Sequence, residues 1–207
     1  MKVIFIFILF SQNFSYAQFE KKEKMLGGNI NIFITKEKNG SIGGGGPLGN
    51  VYAKETAIKF MPEFTYIFAK NSSLSLLAGY VSDFTTASNF KSKSKGYLIG
   101  IALSKHHFVT NRFSIFGRLQ ISYSPTKINL SDADGNTDKT NHFLTNIGIY
   151  PGFAFRFSKH FSMNAIIGRI SYDHLTNKQD GQNETRTIDE FNFGFTNISF
   201  GAFYIFK

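Results

Sequence analysis

Residues 113–123 read FSIFGRLQISY, and their alternation decides the fold. Phe113, Ile115, Gly117, Leu119, Ile121 and Tyr123 fill one set of alternate positions. Ser114, Phe116, Arg118, Gln120 and Ser122 fill the other. Successive side chains of a strand point to opposite faces, so this stretch is a strand with one apolar face and one largely polar face. The same order wound as a helix would scatter both sets around the axis.

The pattern recurs along the chain. In 142–157, Phe143, Ile147, Ile149, Phe153, Phe155 and Phe157 share a face with Thr145 and Pro151, against Asn146, Gly148, Gly152 and Arg156. In 57–68, Ile58, Phe60, Phe64, Tyr66 and Phe68 oppose Lys59, Glu63 and Thr65. In 96–107, Tyr97, Ile99, Ile101 and Leu103 oppose Gly100, Ala102, Ser104 and His106. In 193–206, Ile198, Phe200, Ala202, Tyr204 and Phe206 oppose Asn197, Ser199 and Gly201. Weaker copies occupy 26–35 (Ile30, Ile32 and Ile34 against Asn29 and Asn31), 73–83 and 161–172. The count is eight strands, an even number.

Their length and spacing choose between architectures. Most run about 10–14 residues, longer than the usual 5–6 of soluble strands and sufficient for a tilted membrane crossing of roughly 9–11. Short links at 69–72, 108–112 and 158–160 alternate with long ones at 36–56, 84–95, 124–141 and 173–192. Short turns at one end and long loops at the other predict an all-β, eight-stranded, antiparallel up-and-down transmembrane β-barrel. An even strand number places both termini on the periplasmic side. In lipid an unpaired backbone group costs several kcal/mol, so such a sheet must close. Lys59, Glu63, Arg118, Gln120, Asn146 and Arg156 then fill the lumen and pair with one another and with trapped water, because a lone buried charge is too costly. Tyr66, Phe68, Tyr97, Tyr123, Phe155, Phe157 and Tyr204 fall near strand ends, as interfacial girdles require.

Composition agrees. The 207 residues include 25 Phe, 19 Gly and 9 Tyr, no Cys and no Trp, and 18% are charged. So many aromatics with so little charge exclude a disordered chain. Without Cys there is no disulfide framework, thiolate metal site or thiol nucleophile. No run of 18 apolar residues occurs, so a transmembrane helix is excluded. Residues 1–17, MKVIFIFILFSQNFSYA, have a positive Lys2, an apolar run from Val3 to Phe10, and Ser15 and Ala17 at −3 and −1 of a cleavage point. They read as a cleaved signal peptide. Residues 18–25 are then a short periplasmic segment and 26–207 the barrel domain. An exported chain without Cys points to a bacterial envelope.

An internal echo joins two hairpins. Pro62-Glu63-Phe64-Thr65-Tyr66-Ile67-Phe68-Ala69-Lys70 parallels Pro151-Gly152-Phe153-Ala154-Phe155-Arg156-Phe157-Ser158-Lys159, with Gly79 and Gly168 each 17 residues after the Pro. Pro donates no ladder hydrogen bond, so both sites are expected at bulges or bends. P-x-F-x-Y-x-F, a short turn and an apolar strand with Gly resemble the family of small eight-stranded bacterial outer-membrane β-barrel domains. The closing Gly201-Ala202-Phe203-Tyr204-Ile205-Phe206-Lys207 resembles the C-terminal signal read by the barrel-insertion machinery, departing from it in the final Lys207. The resemblance spans roughly 25–206 and implies residence in the outer membrane. It implies contact with the insertion machinery during assembly and brings no common catalytic residues.

Candidate chemistry is sparse. Asp132-Ala133-Asp134-Gly135-Asn136-Thr137-Asp138 offers hard oxygen ligands, but Gly135 stands fourth where a calcium loop wants Gly sixth, and Phe143 stands where it wants Glu. The segment reads as a solvated turn. Gly43–Gly46 with Pro47 lack the Lys-Ser/Thr and helix of a phosphate loop. His106, His107, His142, His160 and His174 show no ligand spacing. Ser104, His106 and Glu63 share the inward set and form a formal Ser–His–acid group. Lys91, Lys93 and Lys95 come with no acid between them and suit anionic lipopolysaccharide heads. The net charge of +9 is read the same way and not as nucleic-acid binding.

The expectation is a monomeric, non-catalytic outer-membrane barrel with a plugged polar lumen, without cofactor or metal, structural or adhesive through loops 36–56 and 173–192. Its partners are outer-membrane lipid, lipopolysaccharide and an unidentified surface ligand. A lipid-modifying barrel enzyme, a soluble lipocalin-type barrel and a small pore are the alternatives.

Overall fold

The computed structural model describes residues 19–38, 52–86, 90–132, 137–179, 185–195 and 198–207. The signal-peptide segment 1–17, the glycine run 43–46 and the turn tip 133–136 lie outside the described residues. Each alternating stretch is a strand: β1 Lys24–Lys38, β2 Tyr52–Ala69, β3 Ser72–Thr86, β4 Phe90–Phe108, β5 Phe113–Asp132, β6 Thr137–Arg156, β7 Phe161–Ile166, β8 Arg169–Gln179, β9 Thr185–Gly194 and β10 Ser199–Phe206. β1 to β6 pair in sequence order, all antiparallel.

The last four elements make two wall strands. β7 and β8 both pair with β6, one below the other, with a break at 167–168. β10 pairs with β7 and β9 with β8. β10 then pairs with β1 from Lys24↔Phe206 to Ile30↔Phe200, so the pairings return to their start through eight wall strands.

Side-chain direction follows the alternation. Phe200 is 59% exposed, Phe60 50%, Ile101 48% and Ile121 44%, on the outside of the wall, whereas Arg118 is 2% and Glu63 3% exposed inside it. Leu119, Leu103, Ile99, Leu76, Ile149 and Leu26 continue the outer apolar belt. A soluble barrel of lipocalin type requires the reverse, with apolar side chains inward.

The strands are longer than their sequence signal. β5 and β6 have 20 residues each, against roughly 9–11 for a membrane crossing. The stretches 84–95, 124–141 and 173–192, expected as loops, are largely strand: Lys91, Lys93 and Lys95 lie on β4, and 173–192 contributes most of a β8–β9 hairpin. There the alternation is between polar types, as in Lys-Ser-Lys-Ser-Lys, so hydrophobic periodicity vanishes while backbone pairing continues. At the opposite end the links stay short; Asn71 turns the β2–β3 link with φ 61°, a left-handed conformation that Asn tolerates.

The prolines behave unequally. At Pro151 the β6 ladder passes from Ile149↔Ile170 to Gly152↔Ile166, so the facing strand holds one extra residue there, as a bulge. The Ile167 N–H donates to the Pro151 carbonyl at 3.0 Å. At Pro62 the β2–β3 ladder skips 61–62 and resumes unchanged, so no bulge forms. Gly28 faces Pro62 from β1, where a Cβ would lie 2.8 Å from the Pro62 Cα; only Gly allows that approach. Pro125 opposes Tyr97 in the register set by Gly96↔Thr126, and the Ser124 hydroxyl donates to the Tyr97 carbonyl at 2.9 Å, supplying the donor that Pro lacks.

If the belt faces lipid, Leu119→Arg, at mid-belt, should destabilise the refolded barrel by about 2–4 kcal/mol, and Ser131→Arg, beyond the belt, by less than about 1 kcal/mol. Urea unfolding in lipid vesicles measures both.

Candidate functional site

The lumen is built in layers. At the short-link end of the barrel, where β1 starts and β10 ends (the inner end below), the segment before β1 folds across the mouth: the Lys22 N–H donates to the Ile67 carbonyl at 2.8 Å, and the Ile67 N–H to the Glu23 carbonyl at 2.9 Å. This seats Phe19, 3% exposed, against Met25, Ile67, Phe203 and Ile205, with Phe108 beside them. The Phe19 ring meets the His106 ring edge-on at 4.8 Å. Arg156 lies over the Phe19 ring at 5.6 Å and forms a two-pronged pair with Glu23, at 2.8 and 3.2 Å. Its Nη2 also donates to the Lys159 carbonyl at 3.1 Å. Buried charges survive only when paired and hydrogen-bonded in this way.

The next layer holds Glu63 and Arg118. Arg118 Nη1 donates to both Glu63 carboxylate oxygens, at 2.9 and 3.1 Å. Thr65 donates to Glu63 at 3.0 Å and shares a 2.8 Å hydrogen bond with Ser75. A void of about 20 Å³ lies between Phe19, Glu63, His106 and Arg118.

Toward the outer end a cavity of about 560 Å³ opens. Met61, Leu98 and Ile166 line it together with Lys59, Asp83, Gln120 and Arg169. On its wall Asn146 donates to Asp173, Tyr150 donates to Asn146 at 2.6 Å, and Asn192 donates to the other Asp173 oxygen at 2.9 Å.

The six expected lumen residues all lie inside, but their partners were only partly foreseen. Glu63 pairs with Arg118, while Arg156 takes Glu23 and Asn146 takes Asp173. Glu23 precedes the first strand and had no alternation to betray it. The Ser–His–acid grouping is not assembled: Glu63 is held by Arg118 and Thr65, and His106 Nδ1 lies 3.2 Å from the Ser114 hydroxyl, not bonded to Ser104. Among the described residues no group of three potential metal ligands forms.

The remaining histidines are dispersed. His142 sits beyond the belt, where burial holds its imidazole below the ordinary range. His160 stacks on Tyr204 at the inner rim. His174 Nδ1 and the Tyr172 hydroxyl both meet Asp189 Oδ1 at 2.7 Å on the outer face.

The outside of the wall carries its own pattern. Tyr80 and Tyr97 are cross-strand neighbours with rings 5.8 Å apart, and Tyr123 stands opposite Ile99. With Tyr172 they form an outer aromatic rim, while Tyr66, Phe68, Phe155, Phe157 and Tyr204 form an inner one, as the sequence predicts.

Polar inside, apolar outside, closed and rimmed by aromatics, this wall is suited to a bilayer. The fold is that of a bacterial outer-membrane β-barrel. The outer membrane protein OprG from Pseudomonas aeruginosa is similar with a TM-score of 0.55 at 15% identity, over 93% of this chain and 99% of that one. Ail, the attachment invasion locus protein of Yersinia pestis, gives 0.50 at 14%, over 90% and 100%. The translocator domain of the autotransporter NalP from Neisseria meningitidis gives 0.51 at 12%, over 93% and 64%. No family model and no curated protein matches the chain.

Glu63→Ala strands a buried guanidinium inside this barrel and should cost about 3–5 kcal/mol, whereas Glu63→Leu with Arg118→Met should cost markedly less. A double-mutant cycle from urea unfolding tests the coupling; additive costs would show that the pair is not coupled.

Proposed function

We propose that the protein is an exported, monomeric integral component of the outer membrane, with periplasmic termini and a plugged lumen, acting without catalysis as a structural or adhesive surface element. The observation that carries this is the opposition between the exposed belt of Phe60, Ile101, Ile121 and Phe200 and the buried ion pairs Arg118–Glu63 and Arg156–Glu23. An apolar exterior is costly in water and favourable in acyl chains. Eight strands enclose room for packed side chains and not for a wide channel. The layers at Phe19 and at Glu63 support a plugged reading over the pore alternative.

The adhesive part of the reading draws on Ail, whose name records attachment and invasion, and on outer ends that project past the belt by several residues on β5 and β6. The lipid-modifying alternative loses its candidate group, since His106 and Glu63 are engaged elsewhere.

Cell fractionation should place the protein with outer membranes, with lower gel mobility after boiling; recovery in the soluble periplasm would overturn the reading. In planar bilayers the native barrel should give no porin-sized current. Phe19→Ala with Glu23→Ala should destabilise the inner plug and yield flickering openings, and large steady currents from the native protein would contradict a plugged lumen.

A further inference from the structure

We propose that one flank of the wall, the outward face of β3 to β6 just beyond the tyrosine rim, docks the phosphorylated head groups of outer-leaflet glycolipid. The inference rests on the outer-membrane reading above and names the partner of that surface.

The outward series on β4 runs Tyr97, Lys95, Lys93, Lys91, every one of them exposed. Tyr97 belongs to the aromatic rim, and each outward step along a strand is about 7 Å before tilt. Lys95 therefore stands immediately beyond the hydrocarbon edge, at head-group level, and Lys93 and Lys91 above it. On β5, Lys127 lies directly opposite Lys95. On β6, Lys139 lies opposite Asn129, one outward position past Lys127. Lys127 and Lys139 are exposed too.

No carboxylate answers these five cations on the same face among the described residues. β3 presents Ser82, Phe84 and Thr86 to Lys95, Lys93 and Lys91 in turn. β5 adds Asn129, and β6 adds Asn141 and Phe143. Like charges directly opposed on neighbouring strands are destabilising. Adjacent strands are only about 4.8 Å apart, well inside the Debye length at physiological salt. The cluster gains stability from an external counter-charge.

Direction and height select the source of that charge. These side chains project sideways from the wall, toward the neighbouring lipid rather than up from the loop tips. They begin where the tyrosines mark the interface. A soluble polyanion would have to enter the head-group layer to reach Lys95 and Lys127; a phosphorylated lipid is already there. On β8 the exposed Lys178 continues the row of Lys95 and Lys127 across Asn141, and nearer the belt the outward face of β8 and β9 turns to Tyr172, His174 and Asp189, with its own acid.

The test uses the full barrel refolded in phosphatidylcholine vesicles and titrated with bisphosphorylated lipid A, dephosphorylated lipid A and a heparin fragment. Bisphosphorylated lipid A should bind at least about tenfold more tightly than the dephosphorylated form. That preference should shrink in about 0.5 M salt. The combined K91Q/K93Q/K95Q/K127Q/K139Q variant should lose it, the matching five-fold Lys→Arg variant should keep it, and Lys105→Gln, at the opposite end of β4 beside Ser72, should leave it unchanged. A glutamine variant that retains the preference, or heparin that displaces lipid A at equal charge, overturns the proposal. Vesicle flotation and heat-modifiable mobility of each variant report the barrel separately. Failure of the native chain to float sinks the outer-membrane reading, whereas flotation without phosphate preference sinks only this inference.

Discussion

Backbone hydrogen bonding in a medium without water is the constraint on which the rest of this structure depends. Inside hydrocarbon every peptide N–H and C=O needs a protein partner. Here the ladders run round eight wall strands and return to β1 through β10. The awkward places are where a ladder is broken. Beside Pro125 the Ser124 hydroxyl supplies the missing donor to the Tyr97 carbonyl, and at Pro151 the proline carbonyl keeps a partner in the Ile167 N–H next to a bulge. In each case the local exception is satisfied from an adjacent group, so closure survives it.

Closure divides the side chains between two solvents. The outer set can be as apolar as lipid permits, which explains why the exposed belt is built largely of Phe, Ile and Leu. The inner set is sealed from lipid and only partly reached by water, so its charges must find partners of the opposite sign. They do so in layers: Arg156 with Glu23, then Arg118 with Glu63, then the Asp173 amide cluster on the wall of a wider outer cavity. The narrow inner half and the open outer half follow from what fills them. Phe19 and the two ion pairs crowd the first, while a cavity of about 560 Å³ stays open in the second among Met61, Leu98, Lys59, Gln120 and Arg169.

Alternation is a local signal, and it was legible wherever one face was apolar. The faces of 57–68, 96–107, 113–123 and 142–157 agree with the structure at Phe60, Ile101, Arg118 and Asn146 alike. It was illegible where both faces are polar, so the outer strand ends at 91–95, 127–131 and 185–190 looked like loops. It was also silent about Glu23 and Phe19, which lie before the first strand and act by folding into the barrel mouth.

The sequence by itself determined the period, the number of wall strands, the polarity of each face and the class of solvent each face requires, because those properties depend on neighbours two residues apart. The tertiary structure alone decided register and partnership. Whether Lys95 meets Lys127, whether Arg156 takes Glu23 and whether His106 stands by Ser114 depend on how far each strand slides along the next. A slide of two residues preserves every face and changes every partner, so only the closed wall could fix them.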